Sequence, residues 1–491
     1  MPRTRLSPAP ALEPPSAMGP VRRIYSDLSA RSRYDFLDPV ESWESRHERG
    51  RKLRDRTPRR DHGWWKAAKD REDVVAQIDR TNADRVPTLL PIRMARMAAS
   101  RFGFLRGAAA VMAADLSRTP TSSIRALIDG DAHLSNFGLF GTVERDIVFD
   151  LNDFDEATVG PFEWDLKRLA TSIEVAGRDL GYAKKLRRRA VRGAIAGYRQ
   201  EMLRLERMGA LDVWYLFLFA GRKNSDPRLD PSTRKVLRSA AMRAGERNNA
   251  TLLDEIAQKG RDGTWRLRGM PPLQTRVSAA TRARVIEALP LYGESLPRER
   301  RYLLSRYHVV DVAQRVVGVG SVGTRDYIVL LFGNDEHDPL FLQVKEGTVP
   351  GAEPFVPPLP REFRHHPGKR VVTAQRALNG SPDILLGWTR VEGRPFYVRQ
   401  LRNLKGAVPI DHLGPATFLD YVAACGAILA RAHARCGDAA LIAGYLGESD
   451  SFDRALARFA DRYADQTERD RETLLTAIRL GRVAAASGSS S

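Results

Sequence analysis

The period of the hydrophobic pattern changes near residue 306, and this change limits the fold more than any other feature of the chain. Before it, apolar residues recur every three or four positions, which predicts helices at 64–82, 91–116, 163–209 and much of 210–300. From 306 to 401 the alternation predicts strands at 308–320, 324–332, 339–347, 383–390 and 395–401. A helix at 368–379 follows the third strand, and helical spacing returns at 412–436 and 451–481.

These segments predict an α+β protein with a five-stranded antiparallel small lobe and a mostly helical large lobe. The predicted ranges are a largely irregular leader at 1–60, the helical large lobe at 61–300, the small lobe at 301–405, helices completing the large lobe at 406–482, and a disordered tail at 483–491.

Bulk composition excludes some classes of protein. The chain has no run of 18 apolar residues, and its N-terminus lacks the apolar stretch of a secretory signal. Its two cysteines, Cys425 and Cys436, match neither a zinc knuckle nor a disulfide framework, so we expect a cytoplasmic protein. The net charge of +19 fits either an arginine-rich solvated surface or a polyanion-binding one, but no motif that reads nucleic acid accompanies it.

The segment DGDAHLSNFG, residues 129–138, carries the first candidate catalytic residues and follows a predicted buried strand at 123–129. Asp131 and Asn136 are five positions apart on the predicted loop. A phosphoryl-transfer site needs a carboxylate near the attacking hydroxyl and an amide oxygen that helps to hold magnesium. A short loop with this spacing places both groups on one side, although Asp and Asn at this separation also occur by chance.

A second segment groups Asp150, Asp153, Asp155 and Glu156 after a predicted strand at 145–151. Hard cations such as Mg²⁺ prefer carboxylate oxygens, and carboxylates this close repel one another unless a cation or solvent separates them. The segment therefore indicates either a metal-binding loop or a solvated acidic turn that caps the following helix.

The predicted small lobe contributes a glycine-rich segment, VGVGSVGTRDY, with Gly318, Gly320, Ser321 and Gly323. A dinucleotide-binding loop would open a helix, whereas this segment lies between two predicted antiparallel strands. It therefore suits a kinase glycine loop, whose backbone covers phosphates, and a tight hairpin turn is the alternative.

Lys345 lies in the third predicted strand, within FLQVKEG. Burying an ammonium alone is costly, and ATP phosphates would supply a partner; the alternative is an edge-strand lysine that reaches solvent. The kinase pattern also expects a Glu on the next helix, but 368–379 contains none. Gln375 is the candidate there, and Glu362 and Glu353 lie upstream.

GDAHLSNFG followed by DFDEATVGPFEWDL resembles the catalytic and metal loops of aminoglycoside and choline phosphotransferases. The resemblance implies that Asp131 is the catalytic base, Asn136 a metal ligand, Asp153 the main metal ligand and Asp165 a structural residue. Asp129 departs from the family pattern, which usually has His there.

The small-lobe layout resembles that of protein kinases, but in kinases it precedes the catalytic loop, whereas here it follows. We therefore expect a circularly permuted, protein-kinase-like two-lobe fold. The phrase AILARAHAR, residues 427–435, resembles the helix that precedes the catalytic loop in phosphotransferases.

Nearly the whole chain, from about Asp35 to Gly481, is also similar to a bacterial family labelled domain of unknown function 2252. The phrases FGFLRG, LQVKE, FYVRQLRNLKG and YADQTERD carry this similarity. The label implies no activity, but it supports the idea that these motifs belong to one domain.

We therefore expect a phosphotransferase that depends on ATP and Mg²⁺ and acts on a hydroxyl of a small molecule or a protein. The predicted site residues are Asp131 for catalysis, Asn136, Asp153 and Asp155 for the metal, and Gly318, Gly320, Ser321, Gly323 and Lys345 for ATP. The alternatives are a nucleotide-binding pseudokinase, an enzyme that transfers AMP with the same metal site, and a basic nucleic-acid-binding protein.

Four further residues receive less specific expectations. His433, on an apolar helix face, is expected to be a satisfied core histidine. Arg399, Arg402 and Lys405 follow the fifth strand and either face the nucleotide or are solvated.

Overall fold

The computed structural model describes residues 41–220, 231–316, 318 and 320–486, which form a mixed α+β protein with several sheets. Within these ranges no helix combines the length and the hydrophobicity needed to cross a bilayer. The predicted leader up to residue 40 and the predicted tail from 487 onward lie outside the described residues.

The N-terminal helices form one wall of the molecule, and polar side chains fix several of their starts. Asp73 accepts hydrogen bonds from the backbone of Val75 and Ala76, and Ser100 accepts one from Gly103. The helices are α1 Trp43–Arg56, α2 Val74–Asn82, α3 Leu90–Ala99, α4 Arg101–Gly107 and α5 Ala109–Leu116.

Four short strands, all largely buried, follow these helices. They are β1 Arg125–Ile128, β2 Phe137–Gly141, β3 Ile147–Leu151 and β4 Thr158–Pro161. β1 pairs antiparallel with β4, and β2 pairs antiparallel with β3. Because the two loops 129–136 and 152–157 each connect one strand of the first pair to one of the second, the pairing holds the loops side by side.

The next helices are α6 Phe162–Asp179, α7 Lys184–Leu205, α8 Ala210–Trp214, α9 Pro231–Gly245 and α10 Asn249–Ile256. Every residue of α6 from Phe162 to Gly177 is buried. Polar side chains on α6 therefore need partners inside the protein, because burying an unpaired polar group is costly. Two of them, Asp165 and Arg168, find those partners in the loop that follows β1.

The second half of the chain builds an antiparallel sheet of six strands in the order β11-β12-β10-β9-β8-β7. The strands are β5 Ala257–Lys259, β6 Trp265–Leu267, β7 Gln274–Arg276, β8 His308–Arg315, β9 Asp326–Phe332, β10 Pro339–Glu346, β11 Gly387–Val391 and β12 Arg394–Gln400. The helices among them are α11 Ala279–Glu287, α12 Leu289–Glu294, α13 Arg298–Leu304, α14 Arg361–His365 and α15 Pro367–Leu378. β5 and β6 form a separate hairpin.

The chain ends in α16 Pro415–Cys436, α17 Ala439–Leu446 and α18 Ser451–Arg479. α16 packs along α7, and α18 packs on α6 and α7, so the C-terminal helices return to the N-terminal half. The contact of α16 with α7 is close, because a Cβ on Gly426 would lie 1.9 Å from the carbonyl oxygen of Ala194.

Several sequence predictions need correction. The sheet has six strands, not the five predicted. The sixth, β7, was not predicted because it has only three residues and lies in a range predicted as helical. The leader is not irregular at 43–56, where α1 forms with few apolar residues. It packs closely against α17 at Gly50, its one buried residue, where an added Cβ would lie 2.1 Å from the Leu441 carbonyl oxygen. The helix predicted from 64 begins at Val74, where Asp73 caps it.

Candidate functional site

The loop after β1 is held by buried contacts to α6. Asp165 accepts hydrogen bonds from the backbone N–H groups of Asp129, at 2.7 Å, and Gly130, at 2.9 Å. Gly130 has a φ of +78°, and a Cβ there would lie 2.2 Å from the carbonyl oxygen of Glu156. Only glycine permits this approach, which brings the loop against the acidic loop 152–157.

Asp131 lies on this loop and forms an ion pair with Arg168 of α6. Its Oδ1 accepts a hydrogen bond from Arg168 Nε at 2.7 Å and lies 2.6 Å from Arg168 Nη2, and His133 Nε2 lies 3.6 Å from Oδ2. Burial raises the pKa of Asp131 to about 7, although Arg168 opposes the rise. A carboxylate with this pKa takes up or releases a proton near neutral pH.

The acidic loop carries carboxylates with separate partners. Asp155 accepts hydrogen bonds from Lys345 through Oδ2 and from the Tyr397 hydroxyl through Oδ1, at 2.8 Å. Glu156 accepts one from the Gly351 N–H at 2.6 Å. Asp153 Oδ1 lies 3.9 Å from Lys345 Nζ. Burial acts to raise the pKa of Asp153, but the cationic side chains nearby outweigh it and hold that pKa below its usual range.

Lys345 lies in β10, between β9 and β12, and is 2% exposed, so the alternative of an edge-strand lysine is wrong. Its acidic neighbours, Asp153 and Asp155, come from the loop about 190 residues upstream. Burial acts to lower the pKa of Lys345, but these two carboxylates raise it above its ordinary value.

The helix after β10 supplies an arginine where a kinase would have a glutamate. Arg370 of α15 donates hydrogen bonds to the backbone oxygens of Asp155, Ala157 and Thr348, and so supports the acidic loop. Glu362, one candidate partner of Lys345, is paired with Lys369 instead. The described contacts join neither Gln375 nor Glu353 to Lys345.

The glycine-rich segment connects β8 to β9 as predicted, and it contacts the N-terminal helices. Arg85 donates to the carbonyl oxygen of Val322, and Arg96 donates to that of Gly318. Gly318 and Gly323 have φ values of +71° and +94°, in the left-handed region that favours glycine. The two N-terminal arginines therefore fix the segment across the acidic loops.

These segments line a cavity of about 60 Å³, roughly the space of a few water molecules. It is lined by Thr81, Arg85, Arg93, Arg106, Gly107, Ala109, Ala110, Asp131, Asn136, Asp153, Asp155, Glu156, Gly320, Ser321, Thr324 and Thr348. We call its four carboxylates, Asp131, Asp153, Asp155 and Glu156, the acidic wall. Of the predicted site residues, Gly318 and Gly323 are not in the lining, and Lys345 reaches the cavity through its contacts to the acidic wall.

A second cavity, of about 40 Å³, lies beside the segment after β12. Its lining includes Asn152, Arg399 and Lys405, so two of the three basic residues after the fifth predicted strand face the interior. The third, Arg402, forms an exposed ion pair with Glu255.

The oxygen atoms that line the cavity beside Asp131 and Asp153 suit a magnesium ion that is also coordinated by a phosphate ligand. Asn136 uses its amide nitrogen to donate to the Asp131 carbonyl oxygen at 2.8 Å, which leaves the amide oxygen as a possible ligand beside Asp153. Mg²⁺ usually takes one or two carboxylates and completes its shell with water and substrate phosphates. Within the described residues no cluster of three or more His, Cys, Asp or Glu side chains is arranged as a complete metal site.

Sequence reasoning missed the arginines and the tyrosine of this site. Arg168 follows the predicted structural residue Asp165 by three positions, and its place on a fully buried helix was a usable signal. Arg85 and Arg93 lie beside or on helices with no motif to single them out, whereas Arg106 lies in the FGFLRG phrase, to which no role was assigned. His433 is confirmed as a core histidine, because its ring nitrogens contact Tyr198 and Asp165.

The fold and the site define a class: a mixed α+β protein with a cleft in which carboxylates, a buried lysine and arginines meet. The chain matches the family described as "Uncharacterized protein conserved in bacteria (DUF2252)" over residues 85–477, and it belongs to this family. No curated protein and no solved structure matches the chain.

Proposed function

We propose that the protein is an ATP- and Mg²⁺-dependent phosphotransferase that acts on a hydroxyl acceptor. The observation that carries the proposal is one cavity lined by the Asp131–Asn136 loop, the acidic loop and the glycine-rich segment. Such a reaction needs a base, a metal-binding carboxylate and a phosphate-covering loop around one point.

In this proposal Asp131 accepts the proton of the acceptor hydroxyl, and its pKa of about 7 suits a general base near neutral pH. Asn136 and Asp153 hold Mg²⁺, with Asp155 as a further candidate ligand. Because both Asp155 oxygens already accept hydrogen bonds, Asp155 is better suited to fixing Lys345. Lys345 and the segment from Gly318 through Gly320 and Ser321 to Gly323 bind the phosphates.

The reaction is a displacement at the terminal phosphorus of ATP. The acceptor oxygen forms a bond to that phosphorus, the bond to the bridging β–γ oxygen breaks, and ADP leaves. The acceptor proton passes to Asp131. When bound, Mg²⁺ would neutralise charge on the phosphate oxygens. The base and sugar of ATP would extend toward the second cavity, near Asn152 and Lys405.

A circularly permuted, kinase-like architecture is part of the proposal. Five of the sheet strands and α15 occur in the order strand, glycine-rich loop, strand, strand, helix, strand, strand. α16, which contains the AILARAHAR phrase, ends beside β1, with Cys436 Sγ 4.0 Å from the Leu127 carbonyl oxygen. α16 therefore approaches β1, the strand that leads into the Asp131 loop, as a circular permutation requires.

A nucleotide-binding protein without turnover is the second candidate. It is favoured by the lack of a glutamate on α15 and by the commitment of Asp155 to Lys345 and Tyr397. AMP transfer would use the same metal ligands and differs in its products.

Mg–ATP binding and ATP consumption, measured on the purified full chain, test the proposal. A ligand present at 100 times its Kd stabilises a protein by about 2.7 kcal/mol, so we expect Mg–ATP to raise the Tm above that with Mg²⁺ alone. ADP release stimulated by hydroxyl compounds supports phosphoryl transfer. AMP or pyrophosphate as product indicates AMP transfer, binding without turnover indicates the pseudoenzyme, and the lack of binding contradicts both.

A further inference from the structure

Three arginines line the cavity opposite the acidic wall. Arg85 follows α2, Arg93 lies on α3 and Arg106 on α4. We call them the arginine wall. Their positions bring three guanidinium groups to one cavity.

The arginine wall has only neutral hydrogen-bond partners among the described residues. Arg85 donates to the carbonyl oxygens of Thr81 and Val322, and Arg93 donates to the Gly107 carbonyl oxygen at 3.0 Å and to a methionine sulfur. Arg106 donates no side-chain hydrogen bond within the described part of the chain, and the buried Nε atoms of Arg93 and Arg106 have no partner there.

Arg93 is buried and Arg85 and Arg106 are partly buried, and none of the three has an ion-pair partner among the described residues. No carboxylate of the described residues lies within ion-pair distance of Arg85, Arg93 or Arg106, and burial lowers the pKa of each arginine. Placing unpaired charges in a protein interior is expensive, and evolution tolerates it where a ligand supplies the counter-charge. A guanidinium group binds phosphate through two parallel hydrogen bonds. Three guanidinium groups therefore match a phosphate dianion better than they match a ligand with a single carboxylate.

We propose that Arg85, Arg93 and Arg106 form an anion subsite that binds a phosphate group of the acceptor, so that the acceptors are phosphorylated hydroxyl compounds. The role of the acceptor rests on the proposed function. The nucleotide phosphates already have Lys345 and the glycine-rich segment as partners. Arg106 instead interacts electrostatically with Asp131 and with Asp153, so it lies where an acceptor hydroxyl approaches the base.

The test is a calorimetric titration of inorganic phosphate into the full-length protein, with and without a saturating non-hydrolysable Mg–ATP analogue. We expect phosphate to bind in both conditions, because the analogue occupies only the nucleotide side of the cleft. Arg106→Gln should weaken phosphate binding at least 10-fold, and Arg106→Lys should weaken it less. The matched control is Arg118→Gln, which removes an exposed arginine paired with Asp70 and should leave binding unchanged.

Three results would overturn the subsite: no phosphate binding, equal binding by wild type and Arg106→Gln, or loss of phosphate binding when the analogue is present. The last result would assign the arginines to the nucleotide. Analogue binding to the same samples separates this inference from the proposed function. If the protein binds the analogue but not phosphate, the arginine subsite is wrong and the proposed function is unaffected. If it binds phosphate but not the analogue, the proposed function is wrong, and so is the acceptor role that rests on it.

Discussion

The acidic wall and the arginine wall face the same cavity but are held in place differently. Asp131 is paired with Arg168, Asp155 with Lys345, and Glu156 with a backbone amide. The arginines of the opposite wall contact only carbonyl oxygens and a sulfur atom within the described residues. The acidic wall is therefore organised before any ligand binds, whereas the arginine wall forms no ion pair within the described residues and interacts with the carboxylates only at longer range.

The largest expected effect comes from the acidic wall. Asp131→Asn removes the proposed base and should lower turnover by about 100- to 10,000-fold, the usual contribution of a positioned proton acceptor. Binding of Mg–ATP should persist, because the metal and phosphate ligands remain. Asp411→Asn, at an exposed carboxylate outside the cavity lining, is the control. Steady-state kinetics with wild-type turnover for Asp131→Asn would exclude Asp131 as the base.

Lys345→Met removes the cation that joins β10 to the acidic wall. Hydrogen bonds to charged groups contribute about 1.5–3 kcal/mol, so nucleotide affinity should fall by roughly 10- to 150-fold. Calorimetric titration with Mg–ATP measures the change. Lys259→Met, at a half-exposed lysine paired with Glu336, should retain wild-type affinity. Equal affinities for the two variants would remove Lys345 from the nucleotide site.

The pH dependence of turnover tests the pairing of Asp131 with Arg168. The ionised carboxylate is the active form, so the rate should rise with pH and level off above about 7. Because Arg168 stabilises the ionised form, Arg168→Gln should raise the pKa of Asp131 and move the rise to higher pH, by roughly one to three units. A profile that does not move in this variant would mean that Arg168 does not act on the base.

The stability of the protein should depend on which arginine is lost: the one paired with the acidic wall or one of the arginine wall. Arg168→Gln breaks a buried ion pair and should destabilise the protein by roughly 3–5 kcal/mol. Arg106→Gln removes a charge with no partner in the described structure, so its stability should stay within about 0.5 kcal/mol of wild type or increase. Thermal denaturation without ligand compares the two. A large loss of stability for Arg106→Gln would show that the arginine wall is structural.

The sequence supported prediction of the acidic wall because its residues lie in two contiguous loops, each next to a short apolar strand. The alternating pattern likewise predicted the five longer strands and α15. The three-residue β7 and the α1 helix carry too little hydrophobic pattern, and α1 packs on α17 through the close approach at Gly50.

Long-range partners were not predictable in the same way. Asp155 meets Lys345 across about 190 residues, because β10 is placed in the sheet next to the acidic loop. The arginine wall comes from two helices and the segment after a third, which only tertiary packing brings together. Local spacing therefore indicated which carboxylates lie together, but not which residues hold or complement them.

A crystal structure of the full chain with Mg²⁺ and a non-hydrolysable ATP analogue tests the central claim most directly. We predict that the terminal phosphate lies between Lys345 and Asp153, with Mg²⁺ about 2.1 Å from oxygens of Asp153 and Asn136. An analogue bound away from both 131–153 and 318–345 would contradict the account.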